Sequence, residues 1–164
     1  MHLLTWTRRG LLATGTALAL SFGLGLPATA QTPPGVLIVG QIAEPKALDP
    51  AAVTAVNDFR ILMNVYDGLV RYKSGTLEVE PALATAWEIS EDGTEYTFTL
   101  REGVTFHDGS PFNAEAVVFN FERMLNEDHP FHDTGPFPLA FFFSSVASVE
   151  AVDELTVKFS LSEP

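Results

Sequence analysis

The residue types able to do chemistry gather in one short stretch. Asp128-His129 and His132-Asp133 put two imidazoles and two carboxylates within six residues, a donor set that a divalent-metal hydrolase could use. The same stretch contains Asp133-Thr134-Gly135, the triplet that carries the catalytic carboxylate of aspartic proteases, where two acids share one proton. In those enzymes the triplet follows an apolar strand. Here His132 precedes it and Pro136 follows, in a segment holding three Pro and a Gly between residues 128 and 138. That context reads as a polar loop, and a His/Asp metal-dependent or aspartic-type hydrolase is kept as the alternative from the enzyme class. His107-Asp108-Gly109, placed just before Asn113, reads as turn chemistry. The phosphate-cradling glycine loop, the dinucleotide fingerprint, H-E-x-x-H and the G-x-S-x-G elbow are all missing from the sequence.

Composition narrows the class further. Apolar residues make up 46% and charged residues 18%, with thirteen Phe, which predicts a packed core and excludes a disordered chain. Nine Lys and Arg against twenty-one Asp and Glu give a net charge of −12; leaving out Arg8 and Arg9 makes it −14 for residues 31–164. Nucleic acid and anionic membrane surfaces would repel such a chain. The lack of Cys excludes disulfides, thiolate metal sites, a Cys nucleophile and the lipid-modified Cys of bacterial lipoproteins.

The front of the chain reads as an address. Arg8 and Arg9 precede seventeen uncharged residues, 10–26, and then Pro27-Ala28-Thr29-Ala30 supplies small residues at A-x-A spacing before Gln31. This is the order of a cleavable secretory signal, predicted over residues 1–30 with cleavage between Ala30 and Gln31. Four Gly in the apolar run and no positive flank after it argue against a membrane anchor. Thr7-Arg8-Arg9-Gly10-Leu11-Leu12 is similar to the twin-arginine export motif, although its later Lys is missing. A periplasmic destination is expected.

Residues 31–35 predict a linker, and the β-branched run Val36-Leu37-Ile38-Val39 predicts a first strand buried on both faces. Glu44-Pro45 and Asp49-Pro50 bracket a loop. Asn57 is expected to cap a helix presenting Phe59, Leu62, Val65 and Tyr66 on one side and ending at Gly68. Alternation at Trp87, Ile89, Tyr96, Phe98 and Leu100 around Glu91-Asp92-Gly93 predicts a β-hairpin. Asn113 opens a helix whose Ala114, Val117, Val118, Phe121 and Leu125 form one stripe, and a second hairpin over residues 148–161 turns at Asp153-Glu154. The class is α/β or α+β. Phe137, Phe141, Phe142 and Phe143 form the most aromatic stretch, read as core with a cleft-lining role as the alternative.

Trp87-Glu88-Ile89-Ser90-Glu91-Asp92-Gly93, the run from Tyr96 to Gly109, Pro111-Phe112-Asn113-Ala114-Glu115 and Phe119 to Arg123 resemble the signature of the family 5 extracellular solute-binding proteins. These are the dipeptide, oligopeptide and nickel receptors of bacterial ABC importers. The similarity extends through Leu48-Asp49-Pro50, Tyr66-Asp67-Gly68-Leu69, Pro81-Ala82-Leu83-Ala84 and the last ten residues. Ala116 departs from the pattern, since the family often has Asp there to close a capping box. Length departs more, because family members are several hundred residues long.

The resemblance implies a type II periplasmic-binding-protein-like fold of the peptide-binder group, with mixed sheet, β-hairpins and packed helices. Residues 36–164 would be a truncated first part of lobe one. It implies a receptor that captures short peptides and hands them to a permease and ATPase complex in the inner membrane, acting as a monomer without cofactor or covalent chemistry. Nickel chelates, haem, opines and sugars are the alternative solutes. By position, Thr54, Asn57 and Asp58 are expected to reach the cleft, with Phe137 and Phe141 as an aromatic wall.

Overall fold

The computed structural model describes residues 32–164, which divide into a short unit up to Gly40 and a second unit, Gln41–Pro164. The signal segment, Arg8, Arg9, Ala28, Ala30 and Gln31 lie outside the described residues. In the first unit the Val36 N–H donates to the Pro33 carbonyl at 3.1 Å, closing a turn. The expected strand at Val36-Leu37-Ile38-Val39 is not formed, and these four side chains are 52 to 86% exposed. An apolar run becomes a buried strand only with neighbours along both edges, and neither sheet of the structure includes it.

The second unit is organised by a four-stranded antiparallel sheet. Its order is β3 (Ala84–Ile89), β4 (Glu95–Leu100), β6 (Thr156–Leu161) and β5 (Val146–Asp153). Both predicted hairpins are present, the first as β3–β4 and the second as β5–β6. The second hairpin's turn sits at Glu154-Leu155, one residue later than expected. Register places Trp87 opposite Phe98, Tyr96 opposite Phe159 and Phe98 opposite Val157, so the alternating apolar positions of three strands share one face.

That face is covered by α2 (Ala114–Leu125). Asn113 Oδ1 accepts the Ala116 N–H at 3.0 Å, as expected of a cap, and the Ala114 N–H donates at 2.9 Å to the Glu154 carbonyl in the β5–β6 turn. The helix start is therefore tied directly to the hairpin it packs on. Val117 and Ala114 bury against Val157, Val149 and Leu100. Aromatic rings continue the contact in edge-to-face pairs: Phe98 with Phe159 at 5.5 Å, Phe159 with Phe121 at 4.8 Å, and Phe121 with Phe143 at 5.3 Å. Phe143 belongs to a 3₁₀ turn, Ala140–Phe143.

Ahead of the sheet come α1 (Val56–Leu62) and a two-stranded ribbon, β1 (Val70–Tyr72) with β2 (Val79–Pro81). The capping residue of α1 is Ala55, so Asn57 lies inside the helix. The helix ends at Leu62 rather than Gly68, leaving Val65 and Tyr66 about half exposed. The ribbon has no alternating apolar pattern to announce it; Arg71 and Glu80 pair across it at 2.7 Å.

Replacing Phe159 by Ala should cost about 3–5 kcal/mol, since it removes a ring shared by the sheet and α2. Asn113→Ala should cost about 1 kcal/mol through the lost cap. Urea unfolding midpoints of the two variants would check both the sizes and their order.

Candidate functional site

The segment from Gln41 to Ala55, ahead of α1, has little regular structure, and side-chain oxygens shape it. Asp58 is 1% exposed, and its two carboxylate oxygens accept the Lys46 N–H at 2.8 Å and the Ala55 N–H at 3.3 Å. One buried carboxylate thus folds residues 46–55 back onto the start of α1. Tyr66 Oη donates to the Leu48 carbonyl at 2.8 Å. Asp49 Oδ1 accepts the Ala51 N–H at 2.9 Å and caps the 3₁₀ turn Pro50–Ala52, whose first position suits proline.

Asp49 also joins this loop to α2. Arg123 donates from Nη1 to Asp49 Oδ2 at 2.8 Å and from Nη2 to Oδ1 at 3.1 Å, a fork-to-carboxylate pair. The arginine side chain is 12% exposed. Its guanidinium carbon lies 5.3 Å from the centroid of the Phe137 ring, and Nη1 also donates to Thr134 Oγ1 at 3.3 Å. The Arg123 carbonyl faces His132 Nδ1 at 3.0 Å; a carbonyl only accepts, so Nδ1 carries the proton.

Phe137 is buried with φ +41°, a left-handed backbone that costs a non-glycine residue about 1–3 kcal/mol. Its packing under Arg123 and beside His132 holds it there. A Cβ on Gly135 would come within 3.1 Å of Ala52 Cβ, so glycine lets the 132–137 loop lie this close to the Pro50–Ala52 turn without pushing either back by a few tenths of an ångström. Burial alone would raise the Asp49 pKa. The hydrogen bonds from Arg123 and the Ala51 N–H, together with the Arg123 charge, outweigh it and hold the carboxyl below its ordinary value.

Beside this cluster lies an apolar groove of about 1220 Å³, with Phe59, Met63, Tyr66, Phe98, Phe121 and Phe142 among its walls. Solute pockets typically hold about 300–1,000 Å³ and present a few convergent polar groups. Asp49 and Arg123 line this groove but are spent on one another. The polar loop is the better candidate for recognising a solute.

The expected site residues are distributed as follows. Thr54 is exposed, Asn57 half-buried and Asp58 buried, all at the loop's junction with α1. Phe137 forms no open wall, because it is enclosed under Arg123. Phe141 is 65% exposed and lies against Phe142, their ring centroids 3.9 Å apart. Asp49 and Arg123 were not singled out from the sequence as site residues; their types are ordinary and 74 residues separate them. His129 Nδ1 accepts the Phe131 N–H at 3.2 Å, and His132 is held as described. Among the described residues, no three His, Asp or Glu side chains converge as metal ligands.

A depressed Asp49 pKa adds stability above the ordinary carboxylate value of 3.8, and that stability is lost as pH falls through the lower folded value. Unfolding midpoints at about pH 6 and about pH 3 should differ less in Asp49→Asn than in the parent protein. An equal difference in the two proteins would refute the assignment.

The family model described as "Bacterial extracellular solute-binding proteins, family 5 Middle" matches residues 78–164. The chain is 40% identical over 154 residues to the probable D,D-dipeptide-binding periplasmic protein DdpA of Escherichia coli, covering 91% of this chain and 28% of that protein. It is 44% identical over 110 residues to heme-binding protein A of Haemophilus influenzae, covering 60% and 20%. The structure of the ABC transporter-associated periplasmic binding protein DppA from Helicobacter pylori, in complex with peptide STSA, superposes with a TM-score of 0.66. There the identity is 38%, over 74% of this chain and 26% of that one. The chain spans between about a fifth and three tenths of the length of the curated relatives it matches.

Proposed function

We propose, from the premise that this chain belongs to the family 5 bacterial extracellular solute-binding proteins, that it serves in the receptor of an ABC importer and captures short peptides. The observation that carries this reading is the 40% identity to a probable D,D-dipeptide-binding periplasmic protein over 91% of the chain. Residues 1–30 act as a cleaved signal carrying the Arg8-Arg9 pair, residues 31–35 as a linker, and residues 36–164 as the first part of lobe one. The product acts in the periplasm as a monomer and delivers its solute to the permease and ATPase complex of the inner membrane.

Recognition needs no bond to break. The receptor closes over a solute that makes better contacts in the closed state than in the open one. Thr54 of the loop and Asn57 in the first turn of α1 offer polar groups to a peptide's main chain, while Asp58 shapes that loop from inside. Phe141 is the remaining aromatic contact. His129 accepts the Phe131 N–H within its own loop, and His132 is tied to the Arg123 carbonyl of α2. The second reading within the class is a haem binder, favoured by the 44% identity to heme-binding protein A.

Calorimetric titration of the protein purified from periplasm with a panel of di- and tripeptides, and separately with haemin, tests this. The expected result is saturable one-to-one binding of peptides with Kd near or below ~1 μM, with the peptide recovered intact. Asn57→Ala should weaken it about tenfold. Binding of haemin alone would favour the second reading; peptide turnover, or no peptide binding, would overturn the proposal.

A further inference from the structure

We infer that Arg123 is a positioning residue for solute recognition, acting through Asp49 on the loop that carries Thr54 and leads into α1 with Asn57; this rests on the peptide-receptor reading above. The carboxylate it grips is the one that caps the Pro50–Ala52 turn, so one Asp49 oxygen serves both the loop and the helix. Val53, 3% exposed, anchors the chain directly after that turn, and Thr54 follows it. Only Val53 separates the turn from Thr54, so a displacement of the turn moves the backbone from which Thr54, and then the start of α1 with Asn57, extend.

Five features fix Arg123 itself: the two-pronged bond to Asp49, the Phe137 ring beneath it, the bond to Thr134 Oγ1, the Nε bond to Asn120 Oδ1 and the lock of its carbonyl by His132. A lysine keeps the charge but cannot make two parallel bonds and stack at once. Arg123→Lys therefore separates positioning from charge.

The test uses the protein as isolated from periplasm, with L-alanyl-L-alanine as the probe. Parent, Arg123→Lys and Val149→Ala are compared well below their melting temperatures. Val149 is buried in the sheet, apart from the loop, and supplies a destabilised control. Arg123→Lys should weaken dipeptide binding about tenfold or more and speed amide exchange at Ala51 and Ala52 by a similar factor. Val149→Ala should leave both within about twofold. Unchanged affinity in Arg123→Lys, with or without faster exchange, overturns the positioning role, and so does an equal loss in Val149→Ala. If the parent protein binds no peptide in the titrations above, the receptor reading fails separately. Exchange at Ala51 and Ala52 then decides whether Arg123 holds the loop, and unchanged exchange overturns the inference.

Discussion

The two oxygens of Asp49 hold together parts of the chain that lie 74 residues apart. On one side is a loop with hardly any secondary structure; on the other is a helix already committed to a four-stranded sheet. The sheet and α2 form a core from neighbouring hairpins and need no help from the loop. The loop does need the helix, because its own hydrogen bonds, from the Ala51 N–H to Asp49 and from the Lys46 N–H to Asp58, give it shape but do not place it. Partial burial strengthens the pair, and Phe137 beneath the guanidinium limits the directions in which Arg123 can leave. The strained backbone of Phe137 and the glycine at 135 are the local costs of bringing that loop so close.

How much of this was legible in the sequence depended on range. Trp87, Phe98, Leu100, Val157 and Phe159 alternate over short strands joined by recognisable turns, so both hairpins could be read within one or two residues. Asn113 and the stripe from Ala114 to Leu125 announced α2 in the same way. Val36-Leu37-Ile38-Val39 has equal strand propensity and no strand, because propensity cannot supply a pairing partner. The β1–β2 ribbon went unread for the opposite reason: it pairs through backbone and an Arg71–Glu80 bridge, with no apolar alternation.

The site was the least legible part. Thr54, Asn57 and Asp58 were chosen by position within a resemblance, and the structure gives the three very different exposures. Asp58 is inside, where a carboxylate serves the backbone around it. Phe137 looked like a candidate wall because it sits in an aromatic run, yet the residue that covers it, Arg123, lies on another element. Asp49 read only as the start of a proline turn. No local pattern reports that an acid and an arginine 74 positions apart will meet, and that meeting organises the cluster.

Membership in the solute-binding family agrees with what the chain offers: a firm sheet and helix, a polar loop held from outside itself, and a large apolar face beside it. The most direct measurement is native mass spectrometry of the protein isolated gently from periplasm. The account predicts a one-to-one complex with a small peptide that leaves unchanged on collisional activation. A bare protein that stays bare after incubation with peptides, or a complex with haem or a metal in place of peptide, would contradict it.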